Sequence, residues 1–452
     1  MSDAVAVIGG GYAGCAAAVT LAEAGIRVAL FETAPVLGGR ARRVVRDGLP
    51  LDNGQHLLLG AYAETLAMTA RLAAGATPVP AVRRPLAIVP FGARAQGDVT
   101  LIARRAPGRL GLALGLIAAR GLTWRERIAN VRWMRALERG GFVRPPAERV
   151  AKMLAPLPPR VAQALWSPLC LAALNTPVER ASAQVFANVV RAAFAGAGDA
   201  SDFVLPATDL TAFLPDRAAA RVASAGGDVR TNAAARVVAA ARDSVTLAVG
   251  GQAVTAGAAI VAVGPHQLDR AFASEALAAH PPLAAAVDLI GALAYEPIVT
   301  IWLGYPQRVA LPAPIARLDD APGQWVVDRP DILARADAGA APAAPPLASL
   351  LAVVVSASGA HERMTHAALA AAADAQLRRL APGLAPCAWS QVIAEQRATY
   401  ACTPGRVRPA GPRLAPGLYL AGDYVDAEYP ATLEAAVRSG IAAARALVAD
   451  RG

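Results

Sequence analysis

Cysteine is scarce in this chain of 452 residues, and the few cysteines form no recognisable pattern. They stand at Cys15, Cys170, Cys387 and Cys402, without the short spacings that metal ligands or a disulfide framework need. This excludes a disulfide-stapled fold and a cysteine-based metal site, and we expect no metal. The N-terminus passes straight into a predicted strand without a secretory signal, so reduced thiols in the cytoplasm are expected.

Long apolar runs are also missing. The run 110–119 holds ten apolar residues, whereas a helix that crosses a bilayer needs about 20. The uncharged stretch 244–267 is interrupted by glycine and proline, which favours buried strands. These observations exclude a membrane span. A hydrophobic fraction of 55% in a chain of this length predicts two or three domains with substantial cores.

A glycine-rich turn near the N-terminus is the most informative feature that is present. A predicted strand leads into Gly9, Gly11 and Gly14 in G-x-G-x-x-G spacing, and an alanine-rich helical run follows. The first glycine permits the tight turn, the second lets backbone approach phosphates, and the third lets the helix pack close to the strand. Glu32 ends the next predicted strand, where a carboxylate accepts hydrogen bonds from ribose hydroxyls. The sequence therefore predicts a dinucleotide site.

Two further motifs indicate FAD rather than NAD. A Gly-Gly-Arg run ending at Arg40 resembles the second phosphate-contacting loop of the flavin amine oxidase and carotenoid desaturase superfamily. Near the C-terminus, a strand ends in Gly-Asp and a helix follows. The resemblance implies that this aspartate hydrogen-bonds the ribityl or phosphate region and that the first helical N–H groups face the flavin. The residues expected to bind FAD here are Gly39, Arg40, Gly422, Asp423 and Thr432.

The same resemblance implies the fold class. We expect an α/β fold with a Rossmann-like FAD-binding domain of the glutathione-reductase type and a discontinuous mixed α+β substrate domain. The FAD-binding domain is assigned to 1–75, 206–289 and 405–452, and the substrate domain to 76–205 and 290–404. A residue near Val237 is expected to contact the adenine through its backbone.

The block Asp-Asn-Gly-Gln-His at 52–56, followed by an apolar run and Gly-x-Tyr, indicates one branch of the superfamily. It is similar to the bacterial squalene-associated FAD-dependent desaturases, now understood as hydroxysqualene dehydroxylases of hopanoid biosynthesis. The similarity continues at 397–404 and 429–432. It implies a reductive reaction in which an allylic hydroxyl leaves as water and hydride from the reduced flavin quenches the allyl cation. The implied substrate is a hydrophobic isoprenoid held in a dry apolar tunnel.

His56 is the candidate that protonates or orients the substrate hydroxyl, and Asp52 is expected to bias its tautomer and pKa. Tyr429 lies in the loop that faces the flavin ring in the superfamily, so it is a candidate for the lining of the active site. An alternative interpretation is that Asp52, Asn53 and Gln55 hydrogen-bond backbone around the flavin and that the histidine simply packs.

Three other functions remain open on the residues alone. A carotenoid desaturase of the phytoene type would take hydride from a polyene on the same fold, because the motifs do not give the direction of electron flow. An amine oxidase typically uses a lysine that holds water near the flavin, and the single lysine of this chain, Lys152, lies outside every cofactor motif. A non-catalytic prenyl-lipid escort need not retain the flavin contacts, all of which are present here.

Positive charge is concentrated in 101–144, which holds ten arginines and two glutamates, a net charge of +8 in a chain with a formal net charge of +10. Within it, Trp124, Ile128, Val131, Trp133 and Met134 stand among charged residues. This pattern predicts a protein peripheral on the inner membrane, in contact with its anionic surface. The alternative is a helix pair with solvated arginines.

Two motifs that the sequence lacks bear on which partners are expected. No nucleic-acid-binding module accompanies the positive charge, so nucleic acid is not expected as a partner. No second glycine-rich fingerprint for NADPH is visible. The electron donor is therefore expected to be either NADPH that binds transiently or a separate redox protein.

Overall fold

The computed structural model describes residues 4–73, 81–92, 98–104, 110–196, 198–337, 346–409 and 411–451. The strands are β1 (Val5–Ile8), β2 (Val28–Phe31), β3 (Arg43–Arg46), β4 (Leu49–Asp52), β5 (Leu58–Leu59), β6 (Ala81–Arg84), β7 (Ala87–Ile88), β8 (Leu101–Ile102), β9 (Phe203–Pro206), β10 (Asp228–Arg230), β11 (Ala235–Ala241), β12 (Ser244–Val249), β13 (Gln252–Ala256), β14 (Ala258–Val261), β15 (Tyr295–Tyr305), β16 (Ile315–Arg317), β17 (Trp325–Asp328), β18 (Ser349–Ser356), β19 (Trp389–Tyr400), β20 (Arg413–Ala415) and β21 (Leu418–Leu420).

The helices are α1 (Tyr12–Glu23), α2 (Ala63–Leu72), α3 (Leu110–Ala118), α4 (Trp124–Arg139), α5 (Val150–Leu154), α6 (Pro159–Val161), α7 (Ser167–Leu174), α8 (Ala183–Ala195), α9 (Leu210–Phe213), α10 (Pro215–Ser224), α11 (Ser274–Ala279), α12 (Pro281–Gly291), α13 (Pro330–Asp337), α14 (His366–Leu380) and α15 (Leu433–Arg451). None of these described helices combines the length and the apolar character that crossing a membrane requires.

A six-stranded sheet in the order β10-β2-β1-β14-β21-β20 carries the N-terminal turn. Its first five strands run parallel, and β20 pairs antiparallel with β21. β1 and β14 are apolar and buried along their whole length, as central parallel strands are when both faces are covered. Val5 and Val7 face α1 and α15, whereas Ala6 and Ile8 face the antiparallel sheet β11-β12-β13.

The ends of these strands explain where the nucleotide motifs meet. Because β1, β2, β14 and β21 run parallel, the residues that follow them lie at one edge of the sheet. Gly9, Glu32, Ala262 and Ala421 are the first residues beyond the four strands. The layered α/β architecture is the one that the glycine motif predicts.

A second sheet, β16-β17-β18-β15-β19, is antiparallel throughout its described pairs. Alternate residues of β15 face opposite sides, so that Ile301 packs with α14 while Trp302 packs with the helices of 110–196. There, Trp133 of α4 and Trp166 of the π-helical turn Ala162–Trp166, between α6 and α7, lie with ring centroids 4.6 Å apart. One apolar core therefore extends from α4 to β15.

The predicted domain boundary between 75 and 76 lies outside the described residues. β5 pairs with β9, which joins the first segment assigned to the FAD-binding domain to the end of the first substrate segment. The division of the chain into two discontinuous domains stays a prediction.

Candidate functional site

The glycines of the N-terminal turn are required by close backbone contacts. Gly9 has φ +106°, and a Cβ on it would lie 2.7 Å from the carbonyl oxygen of Ala262. A Cβ on Gly14 would collide with the carbonyl oxygen of Gly9. Helix α1 can approach β1 and β14 this closely because neither position carries a side chain.

Gly11 and Gly39 face each other across an open cradle. A Cβ on Gly11 would meet only the Cα of Gly39, at 3.9 Å, and Gly39 itself has φ +59°. The amide of Gly38 donates to the carbonyl of Gly10 at 2.9 Å, which ties the two loops together. No described side chain caps the N-terminus of α1 at Gly11, so its first N–H groups remain available to a ligand. The arrangement suits a pyrophosphate.

Glu32 is held at the rim of the cradle by backbone. Its Oε2 accepts from the amide of Gly10 at 2.6 Å, and its Oε1 accepts from the amide of Ala34 at 2.8 Å. Each carboxylate oxygen retains a lone pair. Glu32 can therefore accept hydrogen bonds from ribose hydroxyls while it remains fixed.

Arg40 and Asp423 form an ion pair, although the sequence motifs treat them as separate contacts. Arg40 Nη2 lies 2.7 Å from Asp423 Oδ1, and its Nη1 donates to the carbonyl of Ala398 at 2.7 Å. Asp423 is 4% exposed. Burial opposes the charge of Arg40, but the charge and hydrogen bond of Asp423 outweigh it and raise the Arg40 pKa. The ion pair holds the Gly-Gly-Arg loop against the C-terminal Gly-Asp motif.

The other three predicted FAD residues are fixed by local contacts. The amide of Gly422 donates to Ser439 Oγ at 2.7 Å, and Thr432 Oγ1 accepts from the amide of Ala435 at the start of α15. Val237 is fully buried, and its carbonyl accepts from the amide of Ala273 at 2.8 Å. Their contacts with the cofactor stay predictions.

Two buried polar atoms beside Arg40 lack a partner within the described residues. They are His266 Nδ1 and Tyr295 Oη, whose rings lie 6.1 Å apart. Burial and the charges of Arg397 and Arg40 lower the pKa of His266. Burial raises the pKa of Tyr295, against the opposing charges of Arg40 and Arg397. Burying a polar atom without a hydrogen bond is costly, so a polar ligand is expected here. No sequence motif around His266 predicts this position.

These features together fit FAD. The open cradle between Gly11 and Gly39 suits its pyrophosphate, Glu32 suits a ribose, and Arg40 supplies a cation. Hydroxyl and ring atoms of the cofactor would satisfy His266 and Tyr295.

The loop after β4 carries His56, whose Nε2 has no hydrogen-bond partner within the described parts of the chain. His56 Nδ1 lies 2.8 Å from the carbonyl oxygen of Gly54. A carbonyl accepts only, so Nδ1 carries a hydrogen and the neutral ring has its lone pair on Nε2. Burial lowers the pKa of His56; the Gly54 carbonyl opposes this shift, whereas the charges of Arg40 and Arg329 add to it.

The structure corrects the role predicted for Asp52. Its Oδ1 accepts from the amide of Leu210 at 2.8 Å, and its Oδ2 lies 3.5 Å from Arg329 Nη1. Asp52 is the last residue of β4, and this position directs its carboxylate towards α9 and away from the imidazole. Gly54, not Asp52, therefore sets the tautomer of His56. Burial raises the pKa of Asp52 to about 6, against the opposing effect of Arg329.

Neighbouring polar side chains behave as the alternative interpretation expected. Asn53 Nδ2 donates to the carbonyl of Arg40 at 3.3 Å, and Gln55 Nε2 donates to the carbonyl of His56 at 2.7 Å. They brace the loop around its own backbone. These hydrogen bonds do not involve the Nε2 of His56.

Tyr429 packs between α2 and α15. Its ring centroid lies 6.4 Å from that of Tyr62 in an edge-on arrangement, and its hydroxyl lies 3.5 Å from the carbonyl oxygen of Ala61. The guanidinium of Arg438 lies 5.0 Å from the centre of the Tyr429 ring. The catalytic role of Tyr429 stays a prediction.

Comparison with known proteins gives the same picture along the whole chain. The sequence profile described as "Flavin containing amine oxidoreductase" matches residues 12–448. Hydroxysqualene dehydroxylase of Rhodopseudomonas palustris is 28% identical over 462 residues, which covers 99% of each chain. The enzyme of that name from Sinorhizobium fredii is 26% identical and covers 98% of each chain.

Solved structures share the fold. An oxidoreductase from Methanosarcina mazei matches with a TM-score of 0.74 at 16% identity, over 98% of this chain and 99% of that one. Cyclohexylamine oxidase from Brevibacterium oxydans matches with a TM-score of 0.69 at 16% identity, over 99% of both chains. The predicted fold class is confirmed.

Proposed function

Because the chain belongs to the flavin-containing amine oxidoreductase family, we propose that this FAD-dependent oxidoreductase removes the allylic hydroxyl of hydroxysqualene and forms squalene. Two relatives named hydroxysqualene dehydroxylase cover nearly its whole length. The single observation that carries the proposal is the loop 52–56, in which His56 Nδ1 contacts the Gly54 carbonyl and Nε2 has no hydrogen-bond partner among the described residues. The full-length relatives favour this reaction over the carotenoid desaturase and escort alternatives.

The proposed reaction needs a proton, a hydride and a dry site. When bound, reduced FAD supplies the hydride that forms the new C–H bond. Protonated His56 donates its Nε2 proton to the hydroxyl, so that the C–O bond breaks and water leaves with the electron pair. Alcohol, hydride and proton thus give hydrocarbon and water.

The loop also lies against an apolar core that favours this chemistry. Leu51 and Trp302 belong to the buried cluster that includes the helices of 110–196. Apolar surroundings keep water away from the allyl cation and accommodate isoprenoid arms. A long hydrocarbon substrate is therefore compatible with the part of the molecule beside His56.

An anaerobic half-reaction tests the function. The bound flavin is reduced, hydroxysqualene is added, and the return of oxidised-flavin absorbance is followed while squalene is assayed by mass spectrometry. We expect one squalene for each flavin reoxidised. FAD-loaded protein that is not reoxidised contradicts the proposal, and turnover of a polyene by the oxidised protein would identify a desaturase. Protein purified without flavin would favour the escort.

The same assay addresses the electron donor, which we propose to be NADPH or a redox protein. NADPH replaces the chemical reductant in an anaerobic titration of the bound flavin. Direct bleaching of the flavin assigns NADPH. Flavin that stays oxidised, in protein that turns over once it is chemically reduced, assigns a separate redox protein.

We further propose that the protein is cytoplasmic and lies peripherally on the anionic inner membrane, through a surface that we name the α3–α4 face. Its exposed apolar side chains are Ile102, Leu114, Ile117, Trp124 and Ile128, between 41% and 67% exposed. Arg127 joins the two helices, because its Nη1 donates to the carbonyl of Ile117 and its guanidinium lies 5.0 Å from the Trp124 ring. Arginines 105 and 109 of this segment lie outside the described residues.

Of the two tryptophans that the sequence offers for this face, Trp133 is buried and Trp124 is exposed. Trp133 is 9% exposed, and its Nε1 donates to the carbonyl of Met153. It belongs to the core, whereas Trp124 on the other side of α4 is 67% exposed. Exposed Arg120 and Arg125 flank Trp124 in the sequence. An exposed tryptophan among arginines suits the interface of an anionic membrane.

Replacing Trp124 and Ile128 with serine is expected to weaken membrane binding about tenfold or more, because each buried apolar side chain contributes about 1.5–3 kcal/mol. Binding is measured by co-sedimentation with vesicles of 30% phosphatidylglycerol in phosphatidylcholine. Val45→Ser with Val407→Ser is the matched control, since both valines are exposed elsewhere. Equal binding by the two double variants contradicts the proposal. Binding of the native protein that does not depend on phosphatidylglycerol contradicts it as well.

A further inference from the structure

Arg329 is a buried cation that none of the cofactor motifs contains. It is 4% exposed and lies between β17 and α13. Its Nε and Nη2 donate to the two carboxylate oxygens of Asp331 at 2.8 and 3.0 Å. Its Nη1 donates to Gln55 Oε1 at 2.9 Å and lies 3.5 Å from Asp52 Oδ2. One guanidinium therefore contacts both the end of β4 and the loop that carries His56.

The contacts of Arg329 close into a ring. Asp331 also accepts from Arg335, and Arg335 Nη1 donates to Asp209 at 2.8 Å. Asp209 caps the start of α9, and the first amide of that helix, from Leu210, donates to Asp52. The ring thus returns to the strand end next to Arg329. It links β4, α9 and α13 around the base of the loop 52–56.

Thr300 holds the same loop from the other side without a charge. It is fully buried in the centre of β15, and its Oγ1 accepts from the amide of Gln55 at 2.9 Å. Gln55 is therefore held at its backbone by Thr300 and at its side chain by Arg329. Because Gln55 Nε2 donates to the carbonyl of His56, fixing Gln55 also fixes the backbone of His56.

Buried ion pairs are weak evidence for stability, because desolvation offsets the attraction between the charges. A ring of buried and half-buried charges around one loop therefore favours a positioning role. We propose that Arg329 is a positioning residue for His56, which acts by fixing Gln55 and the loop 52–56. This inference rests on the proposed function, in which His56 meets the substrate hydroxyl.

The charge of Arg329 has a second consequence. The charged groups around the loop are Arg40 from the second glycine loop, Arg329, Asp52, and Glu395 of β19, which accepts from Asn53. After burial, Arg40 and Arg329 are the charges that lower the pKa of His56. Removing Arg329 removes one of these two charges, which raises the pKa of His56.

Three variants separate position from charge. Arg329→Gln with Asp331→Asn removes the cation together with the carboxylate that accepts two of its hydrogen bonds. Arg329→Lys keeps the charge but loses the planar donor set. Thr300→Val removes the acceptor for Gln55 and changes no charge. Arg308→Gln is the control, because Arg308 forms an exposed ion pair with Asp328, next to Arg329 in the chain.

The first readout is the titration of His56 in FAD-loaded protein carrying ¹³C-labelled histidine, assigned by His56→Gln and recorded by NMR without substrate. The double variant is expected to move the His56 titration to higher pH, whereas Thr300→Val and Arg308→Gln leave it in place. A His56 titration in the double variant that matches the native protein overturns the electrostatic part of the inference. The readout does not depend on which substrate the protein takes.

The second readout is the single-turnover rate of squalene formation. Arg329→Lys and Thr300→Val are expected to lower the rate by about 10–100-fold, because displacement of a catalytic group by about 1 Å costs that much. Native rates in both variants overturn the positioning role. If native protein fails to form squalene, the proposed function fails by itself, and the titration still tests Arg329.

Discussion

His56→Gln is expected to lower the single-turnover rate of squalene formation by about 10²–10⁴-fold, the range of a lost general acid. Glutamine fills a similar space and can still donate to the carbonyl of Gly54, but it cannot deliver a proton. FAD content should remain native, because the cradle is built by Gly11, Gly39 and Arg40 on other segments. Rapid mixing of reduced protein with hydroxysqualene gives the rate, and the 450 nm absorbance of the oxidised protein gives the FAD content.

The pH dependence supplies a sharper form of this prediction. The donor is the imidazolium, which exists below the pKa of His56, so the native rate should fall as pH rises through that pKa. Burial, Arg40 and Arg329 lower the pKa from its usual 6.5, so the fall should be centred below that value. A lower pKa also makes the imidazolium a stronger acid towards an alcohol, at the cost of a smaller protonated fraction.

A matched control separates His56 from general effects of pH. His366 lies exposed at the start of α14, and His366→Gln should keep both the native rate and the native profile. In His56→Gln, the fall in rate with rising pH should disappear. An unchanged fall in His56→Gln would assign the proton to another group, and a native rate would remove His56 from the mechanism.

The parts of the molecule that depend on local chain chemistry could be predicted from the sequence. The glycine turn needs a positive φ at Gly9 and a missing Cβ at Gly14, and both requirements are met within a few residues of one strand. The parallel strands could be recognised because strands buried on both faces are continuous apolar runs. The fold class followed from these features together with the motifs that resemble the superfamily.

Contacts between distant segments could not be predicted in this way. Gln55 and Arg329 are 274 positions apart, and their hydrogen bond depends on how β4 meets α13. The spacing of residues in the sequence does not show which distant strands and helices pack against each other. Asp52 shows the consequence: it is a near neighbour of His56 in the chain, but its carboxylate faces Leu210 and Arg329.

Helix α4 shows a different limit. Trp124 and Trp133 lie on opposite sides of the helix, so each side offers an aromatic residue. Helical periodicity assigns the two tryptophans to different sides of α4, but it does not show which side packs against the protein core. Burial of Trp133 against Trp166, from a helix later in the chain, decides the question.

Arg40→Met is expected to give the largest loss of cofactor. The substitution removes the cation beside the cradle and leaves Asp423, which is 4% exposed, without its ion pair. An uncompensated buried charge costs about 3–5 kcal/mol of unfolding free energy. The negative charge of Asp423 would also repel the phosphates of FAD. Purified Arg40→Met should therefore lack the flavin absorbance and unfold at lower denaturant concentration than native protein stripped of FAD.

A double variant separates the two losses. In Arg40→Met with Asp423→Asn, the buried position is neutral, so most of the lost stability should return. FAD affinity should stay low, because no cation faces the pyrophosphate. Arg46→Met serves as the control, since Arg46 is exposed at the end of β3 and donates to the carbonyl of Val45. Native FAD content in Arg40→Met would show that FAD binding does not need the Arg40 cation. A double variant no more stable than the single one would show that the buried Asp423 does not depend on Arg40.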